Sequence, residues 1–353
     1  MTRLLTCGYE TGDINEAGIS VIGTNGTLAV VNATPTPRAG NYCLKVASTA
    51  GSLGPTYKSL NLPAAKTDLW IRFAFFVHPV AAGEITFAYA YEAAAAPQTA
   101  LTYTPTDGLL RAYRGGSVLL ATASTSFAVD TWHVIEWRTQ ITSASAGVIE
   151  VWLDGNRVIN FSGDNTNSST LNVQSILLGQ ASSTSLAGTT GLYLAFDDIA
   201  INDTAGTINN GRPGDGRIVL LKPSGAGTTT QLARGGTDTG ANHTQVNETP
   251  PSMAQYVGSA TVGQRDLYAL DNLGVAVQSI NTVEVIALAM NSDAGGGFIA
   301  PTLKSGATTN EATAIGLSTS AGYVRSQWET DPNTGVAWTT TAIDSLEAGA
   351  TIR

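Results

Sequence analysis

Apolar and polar positions alternate with a period of two along most of the chain, and clusters of Gly, Pro, Asn and Asp interrupt them about every ten residues. In WHVIEWRTQI, the residues His133, Ile135, Trp137, Thr139 and Ile141 form one dry face, while Val134, Glu136, Arg138 and Gln140 form a wet one. In GVIEVWLDGN the core face is Ile149, Val151 and Leu153, and Asp154-Gly155 predicts a type I′ hairpin into RVINF. Similar strands are predicted over 43–46, 70–77, 85–91, 109–113, 118–122, 175–178 and 192–201. About a dozen short antiparallel strands in some 200 residues predict two packed sheets rather than a helical or α/β fold.

Residues 202–215 (NDTAGTINNGRPGD) have no apolar periodicity and are dense in Gly, Asn and Asp. A domain boundary is expected there, with a first domain over 1–206, a linker over 207–215 and a second domain over 216–353. The second part opens with GRIVLLKPSG and crosses a polar stretch at 228–249. Strands resume over 254–262, 266–270, 283–290, 298–305 and 322–329. Only the last twenty residues predict a helix: Thr341-x-x-Asp344 reads as a capping box ahead of Ile343 and Leu346, with a stop at Gly349. The expectation is an all-β chain: a jelly-roll β-sandwich, then a second, smaller β-rich domain ending in a short helix.

Composition narrows the function classes. The hydrophobic share of 43% is ample for a core, yet charged residues are only 13%, about half the usual quarter. With 18 Lys+Arg against 27 Asp+Glu the net charge is −9, and no Lys/Arg run occurs, so neither nucleic acid nor anionic lipid is an expected partner. The most apolar stretch, residues 69–80 (LWIRFAFFVHPV), is too short for a bilayer and carries Arg72 and His78, so no membrane insertion is expected. The N-terminal MTRLLTCGYETGD has no apolar h-region, so no Sec-type signal is expected. Cys7 and Cys43 have two readings, a disulfide or two buried strand thiols, which the sequence does not separate.

The first half resembles the concanavalin A-like lectin/glucanase sandwich in its laminin-G-like version. The likeness lies in GYETGD, RAGNYCLKV, the pair WHVIEWRTQI and GVIEVWLDGNRVI, and the closing GLYLAFDDIAIND. The second half resembles a segment of tailed-bacteriophage tail proteins, in NHTQVNETPPSMAQYVGS, VEVIALAMNSDAGGG and WETDPNTGVAWTTTAIDSLEAGATI. That resemblance implies a virion component assembled in the bacterial cytoplasm, with other virion proteins and copies of itself as partners. The first implies a structural Ca²⁺ held by Glu10 and Asp13 together with Asp197 or Asp198; the alternative is that the two last carboxylates pair with Arg or cap a strand edge.

Glucanases of this fold need two carboxyls roughly 5 Å apart on alternate positions of one strand. Here Glu136 is followed on its face by Arg138 and Gln140, and Glu150 by Trp152 and the turn residue Asp154. The remaining close pair, Glu329 and Asp331, sits in turn chemistry, ETDPNTG. His78, His133 and His243 have no zinc spacing, and Gly115-Gly116 reads as a turn. Exposed aromatics suit sugar stacking or a subunit interface; Trp132, Trp152 and Tyr113 are the candidates, alongside Tyr89, Tyr91 and Tyr103. The interface is the preferred reading of Trp152, on the non-core face of its strand. The expectation is therefore a bacteriophage virion component without enzymatic activity, a tail or decoration protein that forms homo-oligomers. The alternative is a carbohydrate-binding module that attaches a phage to host surface glycan through the first domain's concave sheet or loops; a glycan hydrolase ranks below both.

Overall fold

The computed structural model describes residues 2–79, 83–92, 96–182, 185–237 and 239–353. Val80, the end of the apolar run from Leu69, and Asp238, inside the polar stretch, lie outside the described residues, as does Met1. The chain is all-β, 3% helix and 50% strand. Among the described residues no helix is long and apolar enough to cross a membrane. Two compact units are present: Thr2–Glu10 with Ile14–Ile218, and Thr11–Asp13 with Val219–Arg353.

The first unit is a jelly-roll β-sandwich of two antiparallel sheets. One sheet runs in the order Asn156–Ser162, Val148–Leu153, His133–Gln140, Asp68–His78, Tyr193–Asp203, Cys43–Ser48, Gly26–Val31, and Arg3–Cys7 also pairs with Tyr193–Asp203. The other runs Val118–Thr122, Leu109–Arg114, Pro97–Thr104, Ile85–Tyr91, Val173–Gln180, Thr56–Lys66, Ile19–Val21. Period-two strands bury one face each, and here the inner faces meet. Phe75 stacks on Phe87 of the opposite sheet with ring centroids 4.3 Å apart, and Phe196 sits 5.8 Å from Phe73. Trp137, Leu44, Leu60 and Ile176 complete the same dry layer. Asp154 and Gly155 both take positive φ, 49° and 81°, as the predicted hairpin requires.

Two expectations for this unit need correction. The face of His133–Gln140 expected to be wet carries Glu136 at 1% exposure, because residues 212–216 lie over it. Arg212 pairs with Glu136 at 3.0 Å, the Gly214 amide donates to its other oxygen at 2.6 Å, and Arg72 donates to the Gly216 carbonyl. The expected linker 207–215 therefore ends on the sandwich, and the division falls at 218/219. Both cysteines are buried and unpaired in a disulfide, so the two-thiol reading holds.

In the second unit a sheet runs Pro223–Thr230, Arg265–Leu270, Glu347–Ile352, Phe298–Ser305, Thr308–Glu311, with Ile315–Gly316 also on Phe298–Ser305. Two-stranded ribbons join Ala233–Gly236 to Gln255–Gly258 and Val283–Ala289 to Gly322–Trp328. Leu303, Trp338, Ile343 and Leu346 form its core. The predicted terminal helix is one turn, Thr340–Asp344, capped by Thr339 rather than Thr341: the Thr339 hydroxyl accepts from the Ala342 amide at 3.2 Å. Asp344 accepts instead from the Leu273 amide, and Gly349 is no stop. It lies inside the last strand, where a Cβ would stand 2.0 Å from the Asp266 carbonyl oxygen. The chain thus ends on a central strand, not on a helix.

Phe75→Ala is expected to cost about 3–5 kcal/mol, the range for emptying a buried aromatic site, because its ring contacts Phe87, Phe127 and Phe196 together. Chemical denaturation checks this, and a loss under 1 kcal/mol would contradict the placement of the ring at the centre of the sandwich.

Candidate functional site

The outward face of the seven-stranded sheet is built by a local departure from period two. Read as strict alternation, ITFAYAY puts Ile85, Phe87, Tyr89 and Tyr91 on one face. In the structure Thr86 pairs with Thr102 and Ala88 with Leu101, which leaves Phe87 as an extra residue, a β-bulge. Ile85, Phe87, Ala88 and Ala90 then belong to the core. Tyr89 and Tyr91 are turned to the other side, with their rings edge-on at 5.4 Å.

Neighbouring strands extend that surface. Leu177, Tyr89, Ala100 and Tyr113 are successive partners across four strands, and Tyr57 joins the cluster from Thr56–Lys66. Tyr57, Tyr91 and Tyr113 are half-buried; Tyr89 lies deeper, at 6% exposure. The turn after Leu109–Arg114 covers its hydroxyl: Gly115 and Gly116 take φ of 59° and 79°, and a Cβ on Gly116 would fall 2.2 Å from the Tyr89 oxygen. Polar groups edge the aromatic row. Tyr113 donates to Glu84 at 3.0 Å, Thr102 donates to the same carboxylate, and Gln98 donates to Ser168 at 3.0 Å. Burial and the nearby hydroxyls of Tyr89 and Tyr57 push the Tyr91 phenol up to about 12. Burial, then the hydrogen bond to Glu84, raises that of Tyr113. These phenols stay protonated at neutral pH, so each presents a flat apolar ring, and the hydrogen of Tyr113 is held by Glu84.

The three aromatics singled out from sequence do not share a site. Tyr113 belongs to the row just described. Trp132 and Trp152 lie on the outer side of the eight-stranded sheet, each already engaged. Trp132 donates to the Thr36 carbonyl at 2.8 Å and sits edge-on to Phe76. Trp152 is half-buried beneath the Arg212 guanidinium, 4.1 Å from its ring, so this chain itself supplies much of the cover expected from a neighbouring subunit. Tyr103 is in the core, against Phe127. Tyr57 and Glu84 were not foreseen: Tyr57 shares an alternating strand with four buried residues, Thr56, Lys58, Leu60 and Leu62, and Glu84 only gains meaning once the bulge sets the face.

The expected calcium ligands are partly assembled. Asp198 lies close enough to Glu10 and Asp197 to raise the affinity of those two for protons, whereas Asp13 accepts from Tyr323 within the second unit. N–H donors already converge on the three. Asp197 accepts from the amides of Arg38 and Ala39, Glu10 from the amide of Asn41, and Asp198 pairs with the Arg38 guanidinium at 2.7 Å. Only Oε1 of Glu10 is a buried oxygen of this group with no hydrogen bond. A calcium shell needs six to eight oxygens. Among the described residues no group of three or more His, Cys, Asp or Glu side chains could hold a metal ion, and of the two last carboxylates Asp198 pairs with an arginine. The hydrolase carboxylates are likewise tied up, Glu150 by Arg157 and Arg138 and Glu136 by Arg212.

Burial pushes the Glu10 carboxyl up to about 7, with Glu16 and Asp198 adding repulsion, and raises Asp197 in the same direction. An acid that holds its proton more tightly when folded stabilises fully below its unfolded range near 4.5 and loses that contribution as pH rises through about 7. With chelator present, stability is expected to fall by on the order of 2 kcal/mol from pH 5 to 8. Glu10→Gln is expected to flatten that slope; denaturation curves across the range check it, and an unchanged slope in the variant would contradict the assignment.

No protein-family model and no curated protein matches the sequence. Solved structures resemble the fold. An endo-β-1,4-glucuronan lyase from the fungus Trichoderma reesei shares 18% identity over 61% of this chain and 100% of its own, with a TM-score of 0.46. The marine PL-14 alginate lyase from Aplysia kurodai shares 11% over 49% of this chain and 86% of its own, at 0.37. The carbohydrate-binding module CBM66 from Bacillus subtilis shares 11% over 51% of this chain and 96% of its own, at 0.31. The expectation of a chain without enzymatic activity is corrected by the two lyases among these structures. It had rested on a missing carboxylate pair, which bears on hydrolysis and not on bond cleavage by elimination.

Proposed function

We propose that this protein binds glycans on the tyrosine-lined outer face of its seven-stranded sheet. The observation that carries the reading is the row itself: Tyr57, Tyr89, Tyr91 and Tyr113, brought from three strands into one cluster with Leu177 and edged by Glu84 and Thr102. A pyranose ring offers an apolar face of C–H bonds and a rim of hydroxyls. A flat phenol next to the exposed carboxylate acceptor of Glu84 matches both at once. The virion setting implied by the resemblance of residues 212–353 fits the same proposal: the sandwich would hold a particle to surface glycan, with the second unit as the anchoring part.

Affinity electrophoresis of the full chain in gels containing a panel of polysaccharides tests the reading. At least one is expected to retard the protein. Tyr91→Ala and Tyr113→Ala should each weaken that binding tenfold or more, about 1.4 kcal/mol, with melting temperatures close to the parent. Trp152→Ala, on the other sheet, should leave binding unchanged. Equal losses in all three variants, or retardation by no polysaccharide, would count against this face. Release of shortened or unsaturated products during incubation would assign bond cleavage to it as well. For the virion setting, labelled antibody against this chain should decorate purified phage particles, and bare particles would remove that part.

A further inference from the structure

Resting on the glycan-binding reading, we infer that the tyrosine row selects neutral glycans and rejects polyuronates through the charge built around it. The row's own guanidinium, Arg111, is occupied: it pairs with Asp107 and donates to Thr104. Arg114, at the end of the same strand, pairs with Asp164 at 2.7 Å. Lys58 follows Tyr57 in sequence but points to the other side, where its ammonium donates to the Ile14 carbonyl at 2.6 Å and to Ser20 at 3.0 Å. No cation is thereby left facing the row among the described residues. Residues 80–82, 93–95 and 183–184 are Val, Ala, Ser and Thr, so wherever they lie they bring no charge.

The carboxylates are in the opposite condition. Glu84 takes its hydrogen bonds from two neutral hydroxyls, Thr102 and Tyr113. Glu92, one residue beyond Tyr91, takes one from the Ser168 hydroxyl and is 5% exposed. Together with Asp107 they set three carboxylates against the single guanidinium of Arg111. Recognition of a sugar carboxylate calls for an uncommitted Arg or Lys at hydrogen-bonding distance, with the guanidinium fork as the best match. A uronate on this row would meet Glu84 with the one nearby guanidinium, Arg111, already paired with Asp107, and like charges brought together select against a ligand more strongly than a missing contact does. A neutral hexose, with a hydroxymethyl at the same carbon, can donate to Glu84 instead.

The test pairs ligands that differ only at that carbon. The full chain is screened by affinity electrophoresis and calorimetry against neutral polysaccharides and polyuronates. Any neutral glycan that binds is then oxidised at its C6 hydroxyl to the carboxylate, and any uronate that binds is carboxyl-reduced. The expected result is binding to a neutral member, weakened at least tenfold by C6 oxidation. The gap should narrow at high salt, which screens exposed charge, and in Glu84→Gln, which keeps the size of the side chain and one of its two acceptor oxygens. A uronate that binds as tightly as its carboxyl-reduced form, or more tightly, would overturn the inference and leave the glycan-binding reading standing. Binding to no member of either set would overturn that reading and the inference with it.

Discussion

Phe87 is the residue on which the rest of the sandwich turns. It is the extra residue of a bulge, its ring stacks on Phe75 across the core, and its insertion reverses the side to which Tyr89 and Tyr91 point. The two consequences have one cause. A strand with a period of exactly two would have sent all four large side chains of ITFAYAY inward, where the two sheets leave no volume for them, or all outward, where they would make an apolar surface with no core behind it. One inserted residue divides them, two for packing and two for the surface. The backbone irregularity and the tyrosine row are then the same feature seen from opposite sides of the sheet.

This explains which parts of the molecule could be read from sequence. Where His133–Gln140 pairs with Val148–Leu153 without a register shift, Ile135, Trp137, Ile149 and Val151 are buried as their alternation indicates, and the hairpin at Asp154-Gly155 takes the backbone angles its residues favour. Tyr113, Tyr89 and Tyr91 were named as aromatics, but not as one row, and Tyr103 was named with them although it lies in the core, because membership of the row depends on the register of Ile85–Tyr91 against Pro97–Thr104. Glu136 misled for a related reason. Alternation gives the side to which a residue points, and says nothing of a later segment, 212–216, that will lie across that side. The C-terminus misled through competition between short-range patterns. TTTAIDSLEAGA carries one turn of helix and the start of a strand, and pairing with two neighbours inside a sheet decides for the strand.

The low charge content noted at the outset acquires a structural meaning here. The first unit spends its few guanidinium groups on its own acids: Arg38 on Asp198, Arg138 on Asp68, Arg212 on Glu136 and Arg111 on Asp107. Two of these acids, Asp198 and Glu136, are buried, so removing their arginines would leave a carboxylate without counter-charge in a medium that solvates it poorly. Arg38 and Arg212 are therefore committed to the fold, while Arg111 is held by a surface pair with Asp107. What remains to meet a ligand is aromatic rings, hydroxyls, amides and carboxylates held by hydroxyl donors. Composition, register and chemistry converge at that point. A chain with few cations that uses them internally can build a stacking surface with hydrogen-bonding edges, and the partners such a surface accommodates are rich in hydroxyls and poor in charge.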